Sequence, residues 1–224
     1  MAESAAGTPH ATFSATWKQF CAAPHMLGPT PGHRTHWAAG RATYAIWGIR
    51  VSEESVLERV AAIQSELGPR IRKTPLDELH ITCWVAGFPT STSRSHNDDI
   101  PEAALERQAA VLQNHRSFRL LVGGANSFTT APFLEVFDPD GGLASLRQTL
   151  ARCGPAELRF APYQPHVTLG TASSDIPTAS VRASLAAHRQ LSAIELTVNR
   201  FEQLRFDALR PGASLHTHCM VSLR

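Results

Sequence analysis

The chain has little of several features that would narrow its chemistry early. Its four cysteines, Cys21, Cys83, Cys153 and Cys219, lie far apart and form no Cys-x-x-Cys pair. Neither a disulfide framework nor a zinc site is expected, and the thiols are read as reduced, in a cytoplasmic protein. Long apolar runs are missing too. The longest, such as residues 79–86, are broken by His, Thr or Gly well short of a bilayer's thickness, so no membrane partner is expected. The N-terminal residues offer neither a basic n-region nor an apolar h-region, and no secretory signal is expected. The formal net charge of +2 is too small for a nonspecific coat on nucleic acid. Lysine is scarce: Lys18 and Lys73 are the only two, and every other basic residue is arginine, the better bidentate partner of phosphate. A biased genome composition explains that imbalance equally well, so charge alone decides nothing.

What is present is an ordinary globular profile. The 224 residues are 43% hydrophobic and 18% charged, enough to bury a core as one domain or as two similar lobes. Residues 1–40 are rich in Ala, Gly, Pro, Thr and His, with one short helix expected at 13–22, followed by Pro24, Pro29 and Pro31. They read as an extension, partly disordered or draped over a domain that occupies residues 41–224. Within that domain residues 43–51 form a buried strand. Ser52-Glu53-Glu54-Ser55 opens a helix, with Ser52 as N-cap and Val56, Leu57, Val60, Ile63 and Leu67 on one face, until Gly68-Pro69 stops it. A strand at 79–87, a polar loop at 88–100, a helix at 102–115 and strands at 118–128 and 133–137 follow. Asp138-Pro139-Asp140-Gly141-Gly142 is a turn, leading to a helix at 143–153. A strand at 165–171, a helix at 177–188 and long strands at 192–206 and 213–223 complete the pattern. Alternating helices and strands, with antiparallel pairs at the short turns, predict an α+β fold.

His-x-Thr occurs four times, starting at His10, His33, His80 and His166. With 11 histidines, chance accounts for roughly one such tripeptide, so context must choose. His10 and His33 sit in the Pro/Gly-rich extension. His80-Ile81-Thr82-Cys83-Trp84-Val85 and His166-Val167-Thr168-Leu169 each open an alternating strand, one in each half of the chain. Residues two apart on a strand share a face, so His80 projects with Thr82 and His166 with Thr168, opposite the apolar residues between them. Two imidazoles, titrating near pH 6.5, can hold opposite protonation states at neutral pH, one taking a proton from water and the other giving one to a leaving oxygen. The threonine hydroxyls can donate to phosphate oxygens as charge develops there. This chemistry suits a phosphodiester and requires no metal or other cofactor.

These residues resemble the two-histidine phosphoesterase superfamily, which includes RNA 2′,3′-cyclic phosphodiesterases, also called 2′-5′ RNA ligase-like proteins. The resemblance rests on the two His-hydrophobic-Thr-hydrophobic motifs. It is supported by Tyr44-Ala45-Ile46-Trp47, by Phe128 ahead of Phe133-Leu134-Glu135-Val136, and by Pro165 before the second motif. It implies two pseudo-symmetric lobes of antiparallel sheet with outer helices around a central cleft. It also implies metal-independent hydrolysis of a 2′,3′-cyclic phosphate on an RNA end or nucleotide, commonly to a 2′-phosphate; a monomer is expected. Carried over, His80 is the general acid and His166 the base that activates water; the reverse reaction would swap them. Many relatives carry a basic residue shortly after the second motif, where this chain reads Leu169-Gly170-Thr171-Ala172. Arg41, Arg159 and Arg205 are candidates to replace that contact, and Tyr163 and Tyr44 either stack on a base or fill the core. The runner-up readings are action on a 2′-5′ linkage or a cyclic nucleotide signal, and a nucleotide- or RNA-binding module without turnover.

Three other features have weaker readings. His216 and His218 share a strand face but lack two further metal ligands in sequence. His96 with Asp98 and Asp99 is a solvated loop or a lid. Gly123-Gly124 marks a bulge or turn.

Overall fold

A computed structural model describes residues 9–30, 32–91, 96–155, 157 and 162–224. In chain order the extension forms α1 (Pro9–Ala22), β1 (His25–Met26) and α2 (His33–Ala38). Then come β2 (Thr43–Arg50), α3 (Glu54–Leu67), β3 (Ile71–Lys73), β4 (His80–Thr90), β5 (Asp99–Pro101) and α4 (Glu102–Leu112). The second half holds β6 (Phe118–Ser127), β7 (Pro132–Phe137), α5 (Gly142–Arg152), β8 (His166–Thr168), β9 (Gly170–Ala172) and β10 (Ile176–Pro177). α6 (Ala179–Ala187), β11 (Ile194–Val198), β12 (Arg200–Asp207) and β13 (His216–Ser222) end the chain. This is the α+β class read from the sequence. Among the described residues no helix is long and apolar enough to cross a membrane.

One sheet organises the molecule, in the order β11-β6-β7-β8-β4-β2-β12-β13, with β5 added parallel to β4. β11 and β12 lie far apart in that order, yet only Asn199 separates them in sequence. The sheet must therefore curl until its two sides approach each other. Residues 192–206, expected as one strand, are divided by this crossing: β11 pairs with β6, whereas β12 pairs with β2 and β13. The strand expected at 165–171 is likewise two. β8 stays in the main sheet, and β9 leaves it to pair with β3. Gly170 permits that exit, because a Cβ there would stand 2.4 Å from the Arg72 carbonyl oxygen.

The largest apolar cluster covers one face of the sheet. Ile49, Ile81, Leu134 and Val167 meet Val60 and Ile63 of α3, Leu112 of α4, Leu146 of α5 and Leu185 of α6 there. Ser52 does not cap α3. The helix begins one residue later, and the Glu53 carbonyl takes the N–H groups of Val56 and Leu57 at 3.0 Å. Gly123-Gly124 is a bulge in β6, since its register with β7 shifts between Val122 and Ala125. A side chain at Gly124 would collide with the Arg189 carbonyl at the end of α6, 2.1 Å away.

The extension is fastened to this body. The helix expected at 13–22 runs Pro9–Ala22 and lies against β6. Phe13, 2% exposed, packs edge-on against Phe137 at 5.3 Å and near Phe133 at 6.2 Å. These two phenylalanines alternate with the core residues Leu134 and Val136, so α1 covers the face of β7 opposite the core. β1 pairs with β10.

Ile81 and Val167, both fully buried, form the rung that joins the halves of the sheet. Ile81→Ala is expected to lose about 2–5 kcal/mol of stability in urea unfolding. Leu76→Ala, at a residue 39% exposed, should change it by less than about 0.5 kcal/mol.

Candidate functional site

β4 and β8 each begin with a histidine and run antiparallel as neighbours, Ile81 facing Val167. Because side chains alternate, the residues on either side of that rung share the opposite face. Continuing the register sets His80 across from Thr168 and Thr82 across from His166. The four half-buried side chains make a square in which each imidazole adjoins the other motif's hydroxyl. Facing Cβ atoms on such strands lie about 5 Å apart and diagonal ones about 7–8 Å, so the two rings can reach opposite sides of one small group.

The rings are held in the same way. His80 Nδ1 lies 2.8 Å from the Glu78 carbonyl oxygen, and His166 Nδ1 lies 2.7 Å from that of Gln164. A carbonyl only accepts, so each Nδ1 carries a proton, and in the neutral ring Nε2 has the lone pair. Both carbonyls stand two residues before the histidine, where the chain enters its strand.

The surroundings of the rings differ. Arg50 pairs with His80 on β2 and is braced by the carbonyls of Asp77 at 3.0 Å and Leu215 at 2.6 Å, with Glu202 at 3.6 Å. Burial holds the His80 pKa below the ordinary histidine value; the Glu78 carbonyl bond opposes that, and the Arg50 charge adds to it. Glu135 pairs with His166 on β7, and its carboxylate accepts from Arg189 at 2.8 Å and Asn126 Nδ2 at 2.7 Å. Two aromatic rings flank His166, Phe128 at 5.2 Å and Phe133 at 5.1 Å. Gly48 lies beside His80, and a side chain there would press on the Ile81 carbonyl and Leu204 at 3.1 Å. The Cys83 thiol is fully buried and its pKa is pushed up by that burial, so it is no nucleophile.

Of the other residues singled out in the sequence, Tyr163 comes nearest. Its hydroxyl donates to the Thr82 carbonyl at 3.1 Å, and the Arg147 guanidinium stacks on its ring at 3.7 Å. A groove of about 750 Å³ adjoins it, lined by Phe13, Trp84, Leu143, Arg147 and Gln164 among others. Tyr44 packs with Trp37 and Phe88, both at 4.7 Å. It lies six residues from Arg50 on β2, about 20 Å along the strand. Arg41 binds Asp98 and, at 2.7 Å, Asp99; it also stacks on Phe88 at 3.7 Å. Arg205 forms a bidentate pair with Glu102 at 2.8 and 2.9 Å. None of these three reaches the square, and Arg159 lies outside the described residues. His96 N–H donates to Asp99 at 2.8 Å. His216 and His218 are exposed on β13. Among the described residues no group of three or more His, Cys, Asp or Glu is placed to hold a metal ion. Arg50, Glu135 and the two carbonyls are the residues that reading the sequence missed. Arg50 was open to discovery, being two residues beyond Gly48 at the end of a strand.

The chain matches the 2′-5′ RNA ligase superfamily over residues 52–210, which includes both motifs. Its fold is similar to TT0787 of Thermus thermophilus, at 19% identity and a TM-score of 0.59, over 81% of this chain and 98% of that one. Escherichia coli LigT in complex with 3′-AMP gives the same four values. LigT with phosphate gives 17% identity and a TM-score of 0.54 over 82% and 99%. No curated protein sequence matches the chain.

A charged imidazolium is disfavoured by burial, so His80 stays neutral to lower pH than a solvated histidine. Proton NMR titration of its Cε1–H is expected to give a midpoint below pH 6.5. A midpoint at or above that value would contradict the buried placement of the ring.

Proposed function

Since this chain belongs to the 2′-5′ RNA ligase superfamily, we propose that it is a phosphodiesterase hydrolysing a 2′,3′-cyclic phosphate on an RNA end or a small nucleotide. In this reading His80 and His166 are the acid–base pair, and Thr82 and Thr168 hold the phosphate. The observation that carries it is the Ile81–Val167 rung, which sets two imidazoles and two hydroxyls on one face in alternation.

A cyclic phosphate lying over the square has a histidine at each end of the line of attack. One neutral imidazole takes a proton from water as its oxygen bonds to phosphorus. The opposite imidazolium gives a proton to the ribose oxygen whose bond to phosphorus breaks. Cleavage of the bond to the 3′ oxygen leaves a 2′-phosphate and a free 3′ hydroxyl. The threonine hydroxyls donate to the non-bridging oxygens as they gain charge. The square is nearly two-fold symmetric, so each ring's protonation state, rather than its position, decides the roles. Burial and Arg50 favour a neutral His80 in the absence of ligand, the form that accepts a proton. A phosphate anion between the rings favours the imidazolium, the form the resemblance assigns to His80. The nucleotide and phosphate complexes of LigT, which shares this fold, agree with a ligand of this chemistry.

The test is turnover in EDTA of 2′,3′-cyclic nucleotides, 2′-5′ dinucleotides and 3′,5′-cyclic nucleotides. Hydrolysis of the 2′,3′-cyclic substrates is expected. His80→Ala and His166→Ala should each lower kcat by about 10²–10⁴, and Thr82→Val or Thr168→Val by about a hundredfold. Undiminished turnover in either histidine variant would refute the assignment. Binding without conversion of any substrate would favour a nucleotide-binding module.

A further inference from the structure

The supports of the two histidines are unequal, and the difference lies in the N-terminal helix. The Gln164 side chain, whose own backbone carbonyl orients His166, is fastened to α1. Its Nε2 donates to Thr16 Oγ1 at 2.8 Å and toward the Thr12 carbonyl at 3.3 Å. The Thr16 hydroxyl lies 3.1 Å from both the Thr12 carbonyl and Gln164 Oε1. α1 also grips the strand on the other side of His166. Asn126 Nδ2 donates to the Phe13 carbonyl at 2.9 Å as well as to Glu135, and Arg189, paired with Glu135, stacks on Trp17 at 4.6 Å. Glu78, the counterpart of Gln164, lies in the turn of Leu76–Glu78 between β3 and β4, within the body of the domain. His80 is thus oriented from inside the domain and His166 from outside it.

We infer that α1 is a working part of the site and that Gln164 is a positioning residue which transmits the docking of α1 to the His166 ring. The inference rests on the reading of His166 as an acid–base group. α1 lies wholly outside the segment matched to the superfamily, 52–210, and reaches the second motif through the Gln164 side chain. Four elements converge on it: α1, the segment before β8, β6 and β7. Loosening Gln164 leaves its carbonyl in the chain but frees it to turn, and the Nδ1 bond that fixes ring and tautomer weakens. Binding of a phosphate needs the square; proton transfer needs the ring aligned, and misplacement by a fraction of an ångström is costly there.

The experiment compares the full chain with Gln164→Ala, Thr16→Val and Thr16→Ser. The readouts are the 15N–1H signals of the two Nδ1–H groups and kcat and KM on 2′,3′-cyclic AMP. In Gln164→Ala the His166 Nδ1–H should exchange about tenfold faster while that of His80 is unchanged. kcat should fall about tenfold with KM within about twofold. Thr16→Val should move the same quantities by a smaller factor, and Thr16→Ser should restore them. Wild-type exchange at His166 in Gln164→Ala would overturn the inference. So would equal acceleration at both histidines, which marks general loosening rather than positioning. Should the wild-type protein turn over none of the substrates, the catalytic reading fails, and the exchange data alone still decide whether α1 orients His166.

Discussion

The pairing of Ile81 with Val167 is one rung long, and through it the two halves of the sheet and the two His-x-Thr motifs meet. Strand side chains alternate with a period of two, so a slip of one residue would turn His166 and Thr168 into the core and Val167 out of it. The register is protected on both sides. Leu134 faces Val167 across β7 and Ile49 faces Ile81 across β2, and all four side chains belong to the apolar core. Hydrophobic burial on one face of the sheet thereby fixes the placing of polar groups on the other. The site depends on the core beneath it.

Above that shared floor, the near-symmetry of the site is broken by charge and by support. His80 has a guanidinium as its neighbour on β2, and His166 has on β7 a carboxylate already engaged by Arg189 and Asn126. One ring is oriented by a carbonyl of the domain and the other by a carbonyl tied to α1. In the proposed function, such inequality is what acid–base chemistry asks of two identical side chains, since they must hold opposite protonation states at one pH.

The strand faces of the site were legible because alternation is local: His80, Thr82, His166 and Thr168 could be placed on one side of their strands without knowledge of the fold. That those strands are adjacent was not legible, since strand pairing between positions so distant in the chain leaves no mark in either motif. The division at Asn199 does leave a trace in the sequence. The apolar residues Leu196 and Val198 are followed by Phe201, a change of parity that one continuous half-buried strand would not show. Arg41 and Arg205 were chosen by residue type, and type cannot reveal that Asp98, Asp99 and Glu102 claim them from distant segments. The carbonyls of Glu78 and Gln164 were beyond reach for a different reason: every residue has one, and only the fold aims it.

In the proposed function, four side chains of β4 and β8 take hold of a single phosphate. A crystal structure of the protein with a nucleoside 2′-phosphate decides whether they do. Phosphorus is expected over the square, with Nε2 of His80 and Nε2 of His166 on opposite sides of it and the Thr82 and Thr168 hydroxyls on its non-bridging oxygens. A phosphate bound elsewhere, or held by one motif with the other turned away, would contradict that reading.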